Sequence, residues 1–414
     1  MKVIIVGAGI GGLTAALSLH QAGIDVELFE QAMGLEERGA GINLLPHATR
    51  ELAALGLVPA LDCVGIRTSG LIYMNRLGQV IWREPRGVNA GHDAPQFSIH
   101  RGKLHGVLAR AAAERLGRTR INSGWRLIGF DARRSRVVAH FHHEIAHDRI
   151  SVVGDALVGC DGIHSTVRST LYPNEGPPIW SGTMLWRGTT EWPVFGDGKT
   201  MVIAGGNAAK FVFYPIDISN RPTLRLANWG IMARIATGSG APPIRQDWCR
   251  SGHLGEALHF VRRFRLDFID PVGIIEEAST FLELPNCDRD PLPRWSFGRA
   301  TLLGDAAHPM YPVGSNGASQ AILDARSLTR HLSSSPNVVD ALNAYDAERR
   351  PLTSQIVLAN RKGGPEGIID IVESRAPEGF DDIDVVASYD ERRTIVQGYA
   401  RMAGFAPTPS EANA

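Results

Sequence analysis

The chain opens with two hydrophobic periods set side by side. Lys2 to Val6 is a short, nearly continuous apolar run, the pattern of a strand covered on both faces. Leu13 to Gly23 spaces its apolar residues for a helix, and Asp25 to Glu30 returns to a strand. Gly34 to Pro46 is rich in glycine and charge, with Gly39 to Pro46 leading from a loop into a short strand. Ala48 to Gly56 has helical spacing, with Gly56 as its stop. Leu71 to Met74 and Val80 to Arg83 read as a hairpin about Asn75 to Gln79. Pro85 to Pro95 reads as a loop, Gly102 to Leu116 as a helix, and Arg136 to His142 and Ala156 to Gly159 as strands. From about Trp180 to Ile235 the texture changes. Thr183 to Thr190, Thr200 to Ala204, Phe211 to Ile216 and Leu224 to Met232 are strand-like with no helix between them, which predicts an inserted antiparallel sheet. Gln246 to Arg262 predicts a helix, Arg299 to Gly304 a strand, and Ser319 to Leu332 and Val338 to Asn360 two more helices. The chain from Gly363 onward is polar and mixed, and residues 407–414 are expected to be disordered.

The turn between the first strand and the first helix carries chemistry. It reads Gly7-Ala8-Gly9-Ile10-Gly11-Gly12. Gly7 suits a tight turn, Gly9 lets a pyrophosphate approach the backbone, and Gly12 lets helix and strand pack closely. Phosphates would then lie at a helix N-terminus, where free N–H groups and the dipole favour anions. Glu30 follows Gly12 by 18 residues and closes the second strand, where an acid can accept ribose hydroxyls. Strand, turn, helix and spaced acid agree on a dinucleotide-binding unit. Neither Gly205-Gly206 nor Gly238-Ser239-Gly240 follows a strand-to-helix pattern, so any second dinucleotide has no such unit of its own.

Composition narrows the class. The chain has 414 residues, 44% hydrophobic and 21% charged, with 43 basic and 43 acidic side chains. That size suggests two domains, and zero formal charge gives no footprint for nucleic acid or for an anionic membrane. No apolar run is long enough to span a bilayer. Cys63, Cys160, Cys249 and Cys287 lie far apart, without metal-type pairs or a disulfide framework. His142, His143 and His147 read as a hairpin tip and not as a metal site. We expect a cytoplasmic protein without metal, nucleic acid or stable membrane insertion. Its oligomeric state is open, a homodimer included.

Two further stretches resemble nucleotide sites. Thr301-Leu302-Leu303-Gly304-Asp305-Ala306-Ala307-His308-Pro309 puts an acid at a strand end, followed by Gly314, Gly317 and a helix. Such an acid can accept a polyol hydroxyl, and the helix start can face a ring carbonyl that becomes anionic on reduction. Asp155 to Arg168 contains Cys160-Asp161-Gly162-Ile163-His164-Ser165, which a capped helix start would also explain.

In this order the three motifs resemble the single-component, group A FAD-dependent aromatic hydroxylases of the para-hydroxybenzoate hydroxylase fold family. The likeness covers about residues 1–360. Within that family the chain looks like the phenazine hydroxylases, through segments such as Gly41-Ile42-Asn43, Trp186-Arg187-Gly188 and Asn316-Gly317-Ala318-Ser319-Gln320. The resemblance implies an α/β fold: a Rossmann-type FAD-binding domain, an inserted antiparallel β-sheet substrate domain and C-terminal helices. We assign residues 1–70, 98–178 and 285–335 to the first, 71–97 and 179–284 to the second, and 336–414 to the third. It also implies roles. Gly7, Gly9, Gly12 and Glu30 would hold the adenosine half of FAD. Arg101 would approach the diphosphate and ribityl region, and Asp305 the ribityl chain. Gly314, Asn316 and Gly317 would line the flavin ring, with Gly41, Ile42 and Asn43 on another side. Asp161 belongs to a motif linked to FAD and to transient NADH or NADPH binding.

The implied reaction starts with NAD(P)H reducing FAD. Oxygen then adds, and a flavin hydroperoxide delivers one atom to an electron-rich aromatic ring, with loss of CO2 as one form of the reaction. Many relatives add a base for a phenol; candidates are His47, Tyr73, Tyr214 and His308, of which His47 and Tyr214 head the list. A nitrogen heterocycle would need none. Trp186 and Arg187 are adjacent on a strand and point to opposite faces, so Arg187 could pair with a substrate carboxylate or sit in a surface ion pair. The rival readings are a Baeyer–Villiger or epoxidising enzyme on the same scaffold, and a non-catalytic binding protein of the same fold.

Overall fold

The computed structural model describes residues 1–34, 39–206, 208–218, 221–237, 240–244 and 250–406. Residues 407–414, for which disorder was expected, lie outside them. The apolar run Lys2–Val6 is the middle of a five-stranded parallel sheet. Its order is Ala300–Leu302, Ala156–Gly159, Lys2–Val6, Asp25–Glu30 and Ile121–Ser123. Val3, Ile4 and Ile5 have no exposed surface, because the helix Ile10–Gln21 covers one face and a small antiparallel sheet the other. Burial of each contributes about 1.5–3 kcal/mol. The small sheet is Trp125–Ala132, Val137–His143 and Arg149–Gly154, and Phe141 stacks on Phe29 at 4.0 Å between ring centres. Helix Ile10–Gln21 packs in turn on Arg101–Leu116 and Gly317–Ser334.

The inserted sheet has seven strands. Their order is Phe281–Asp288, Ile179–Pro193, Leu224–Arg234, Ala209–Ile218, Thr200–Gly205, Gly70–Met74 and Val80–Pro85. All neighbours are antiparallel except Thr200–Gly205 and Gly70–Met74. Strand alternation sorts its side chains. Trp186, Phe213 and Trp229 share one face with the helices Leu254–Val261 and Pro271–Glu276. Tyr73, Met201 and Tyr214 share the other with Ile368, Ile369, Val372 and Val396.

Two expectations change. The edge strand runs on to Asp288, so a division at 284 would cut it. The helix expected over 246–262 begins at Leu254; residues 246–249 lie outside the described set, and the backbone at Arg250 and Gly252 bonds to the edge strand instead, Gly252 N to Phe281 O at 2.8 Å and Glu283 N to Arg250 O at 3.1 Å. The polar stretch after Gly363 carries C-terminal helices, as the resemblance implied, among them Gly367–Arg375 and Tyr389–Met402. Their apolar positions are few but fall on one face of the sheet, and Ser388 caps the second helix by accepting from Glu391 N at 3.3 Å. No helix among the described residues is long and apolar enough to cross a membrane.

Candidate active site

The glycines of the first turn divide by what a side chain would meet. At Gly7, with φ of +100°, a Cβ would lie 2.5 Å from Cys160 O, and at Gly12 it would lie 1.9 Å from Gly7 O. Both spaces are filled by the chain itself. At Gly9 nothing lies within 4 Å. Gly9 is also the N-cap of Ile10–Gln21, with no side chain bonded to the helix start. An open space beside uncapped N–H groups is what a pyrophosphate needs. Glu30 stands at the end of its strand, fixed by Ala8 N at 2.7 Å and Ala32 N at 2.9 Å; a carboxylate has further lone pairs for ribose hydroxyls.

Asp305 follows the strand Ala300–Leu302 in a turn where Gly304 has φ of +61°. Its side chain is exposed, yet desolvation raises its pKa, against His308 and Arg101 and with help from Asp324. Reachable by water but surrounded by protein, the carboxylate lies on the floor of a cleft. No hydrogen-bond partner holds it among the described residues. Arg101 faces the same place: burial lowers its pKa, Asp305 raises it and Arg187 lowers it again. Gly317 begins the helix Gly317–Ser334 without a side-chain cap, and a Cβ there would be 4.0 Å from the Asp305 carboxylate. A lone carboxylate, an Arg and an open helix start thus converge, and together with Gly9 they fit FAD.

The inner face of the seven-stranded sheet meets this cleft at Gly41. Gly41 N donates to Asn228 Oδ1 at 2.7 Å, and Gly41 O accepts from Arg187 Nη2 at 2.5 Å. A Cβ on Gly41 would lie 2.5 Å from Asn228 Cβ and 2.8 Å from the Tyr214 ring. Only glycine fits between the sheet and the strand Gly41–Leu44. Arg187 therefore holds backbone, and no acid is paired with it among the described residues. Ile42 is half-buried. Asn43 is buried, with Oδ1 accepting from Ser98 Oγ at 2.7 Å, so its side chain ties two strands together.

Other candidates turn away from the cleft. Asn316 has no exposed surface; its amide donates to Gly314 O at 3.2 Å and Tyr399 Oη at 2.9 Å. The side chain holds its own loop, and a direct contact to a flavin ring is not its geometry. Gly314, with φ of +66°, packs under the Tyr399 ring. Asp161 accepts from Ser165 Oγ at 2.5 Å, Thr166 N at 2.6 Å and Val167 N at 3.1 Å. It caps the helix Thr166–Leu171, the alternative that sequence left open.

Neither leading base candidate is poised as a base. His47 is buried beside Phe405, and its pKa is pushed down to about 3 by burial, then by Arg349, Arg50 and His92. It stays neutral and weakly basic at neutral pH. Tyr214 is pushed up to about 12 by burial, against Arg187, so it keeps its proton. Burial likewise raises Tyr73 well above its ordinary value. His308 Nε2 lies 2.6 Å from Asp324 Oδ2, and Arg349 Nε donates to Asp324 Oδ1 at 2.7 Å. Burial alone would raise Asp324, but His308 and Arg349 outweigh it and hold it below the usual range. This buried triad also accepts Gly304 N at 3.1 Å, so it fixes the turn that presents Asp305. Asp324 and Asn228 were not singled out by sequence; Asn228 could have been, as the cross-strand partner of Tyr214.

Comparison with known proteins agrees with this geometry. The profile of the FAD binding domain family matches residues 1–178 and 286–360. The chain is 42% identical over 369 residues to the phenazine 1,6-dicarboxylic acid hydroxylase PhzS of Lysobacter antibioticus, covering 87% of this chain and 89% of that one. The chain belongs to the FAD-dependent aromatic hydroxylases. This hydroxylase is also 30% identical over 369 residues to 3-hydroxybenzoate 6-hydroxylase 1 of Aquipseudomonas alcaligenes, covering 87% and 88% of the two chains. Its fold matches that of an HpxO variant from Klebsiella pneumoniae solved with FAD, with a TM-score of 0.76, 22% identity and coverage of 98% and 99%. It is a flavoprotein monooxygenase that acts on an aromatic substrate with O2.

Proposed function

We propose that the hydroxylase acts on a carboxylated nitrogen heteroaromatic, with NADH or NADPH as electron donor, and works in the cytoplasm. The lack of a poised base in the two leading candidates is the observation that carries the substrate reading: burial pushes His47 down to about 3 and Tyr214 up to about 12, so neither favours taking a proton from a phenol at neutral pH. A nitrogen heteroaromatic acid without a phenol offers no such proton and needs no base. The similarity to the phenazine dicarboxylate hydroxylase supports the same class. FAD, when bound, supplies reduction by the nicotinamide and activation of O2. In this reading Gly9 and the start of Ile10–Gln21 bind the pyrophosphate, Glu30 the ribose, and Asp305 with Arg101 the ribityl side. Gly317 offers backbone N–H groups to the ring. Arg187 and Asn228 fix Gly41 and so set the distance from ring to substrate sheet. The C-terminal helices cover the inner face of that sheet and exclude water, which protects the oxygen-transferring state from decay to peroxide.

If the reaction removes a carboxyl, the aromatic acid, O2, NAD(P)H and a proton give the phenol, CO2, water and NAD(P)+. Incubation with phenazine and pyridine carboxylates tests the class. Gain of one labelled oxygen from O2 on such a ring supports it. Turnover confined to simple phenols would overturn it. The coenzyme we place at a cleft of about 440 Å³ beside the Asp161 turn, lined by His164, Ser165, Ser169 and Arg289 among others. Substituting His164→Ala should raise KM for the nicotinamide roughly tenfold, about 1.4 kcal/mol, with FAD content unchanged; an unaltered KM in steady-state assays would remove the cleft from the account.

A further inference from the structure

The last helix, Tyr389–Met402, lies outside the residues matched by the FAD binding domain family. One of its side chains nonetheless reaches the loop that precedes Gly317. Tyr399 is 5% exposed. Its hydroxyl accepts from Asn316 Nδ2 at 2.9 Å and donates to Asn360 Oδ1 at 2.7 Å. Asn360 in turn donates to Tyr311 O at 3.0 Å, on the other side of the same loop. Gln320 ties the far end of the helix in, donating to Asn316 Oδ1 at 3.2 Å and to Ala403 O at 3.3 Å.

The loop needs such support. Gly314 and Ser315 are consecutive residues in the left-handed region, with φ of +66° and +57°. For Ser315 that conformation is costly and persists only where the surroundings impose it. The Tyr399 ring occupies the space where a Cβ on Gly314 would stand, at 2.7 Å. Glu366, also beyond the matched residues, accepts from Gly314 N at 3.3 Å. The loop therefore takes its shape from the C-terminal segment. Its end is the start of the helix that faces Asp305.

We propose that Tyr399 is a positioning residue of the flavin site: its hydroxyl sets the loop Gly314–Asn316, and through it the helix start that meets the flavin ring. The inference rests on the flavin monooxygenase reading. It makes the C-terminal helix a working part of the site, beyond its role as a cover on the substrate sheet.

Tyr399→Phe removes both hydrogen bonds and keeps the ring against Gly314, so the holoenzyme should fold and retain FAD. The expected result is a shifted visible flavin absorption band and a several-fold larger share of NAD(P)H electrons released as hydrogen peroxide. Asn316→Ala, which also loses the bonds to Gly314 O and Gln320, should give the same two changes, and the double variant should fall short of additive because both singles remove the Tyr399–Asn316 bond. A Tyr399→Phe holoenzyme with wild-type spectrum and wild-type coupling overturns the proposal. So does full additivity in the double variant, or a fall in melting temperature with spectrum and coupling intact. If the wild type oxygenates none of the aromatics offered, the monooxygenase reading fails by itself. The flavin spectrum of the variant against wild type then decides the inference alone.

Discussion

Asp305→Ala is expected to yield a folded chain that has largely lost FAD. The carboxylate has no partner of its own among the described residues, and burial raises its pKa. The fold therefore gains little from it beyond its attraction to Arg101 and His308. A bound ribityl chain would give it hydroxyl donors, and a hydrogen bond to a charged group contributes about 1.5–3 kcal/mol. Its loss should weaken FAD roughly tenfold to a hundredfold, while the melting temperature of the apoprotein holds or rises. The pH dependence follows from the same group. In the empty chain its pKa is raised; hydroxyl donors favour the charged form and lower it. FAD binding then releases a proton, so affinity should fall as the pH drops through the raised value. In Asp305→Ala that part of the pH dependence should vanish. Flavin content after gel filtration and a titration by fluorescence quenching check both points. Unchanged FAD content with unchanged turnover would remove Asp305 from the site.

Gly9→Val should have the larger effect on cofactor and leave the fold equally intact. Nothing lies within 4 Å of the new Cβ, so the apoprotein has room for it. The same side chain occupies the approach of the pyrophosphate. The expected product is a colourless protein with wild-type circular dichroism. Gly12→Val is the contrast: its Cβ would stand 1.9 Å from Gly7 O, and the strand–helix packing cannot accept it. A yellow Gly9→Val protein with a normal flavin spectrum would contradict the placement of the phosphates.

The parts read most directly from sequence were those set by local spacing. Gly7, Gly9, Gly12 and Glu30 announce themselves because strand, turn and helix follow within thirty residues. Strand alternation also put Trp186 and Arg187 on opposite faces, and Arg187 is the one that reaches Gly41. What sequence could not supply were contacts between distant segments. Asn228 and Arg187 grip Gly41 from the sheet, Arg168 donates to Ala306 O at 3.1 Å and Ala307 O at 2.8 Å, and Tyr399 reaches Asn316; no periodicity connects those positions. Asn316 and Asp161 show the converse. Their residue types suit a ligand, but the same types also satisfy loop and helix ends, and here the chain itself takes their hydrogen bonds. The C-terminal helices were hardest to see, since only a few apolar positions such as Ile368, Ile369 and Val372 mark their buried face.

The most direct test of the account is anaerobic reduction of the purified protein's flavin by NADH and by NADPH, alone and with phenazine, pyridine and benzene carboxylates. The expected result is a yellow protein whose flavin bleaches with a nicotinamide, faster in the presence of one of the heteroaromatic acids. A flavin that no nicotinamide reduces with any of these compounds, or a protein that carries no FAD, would contradict it.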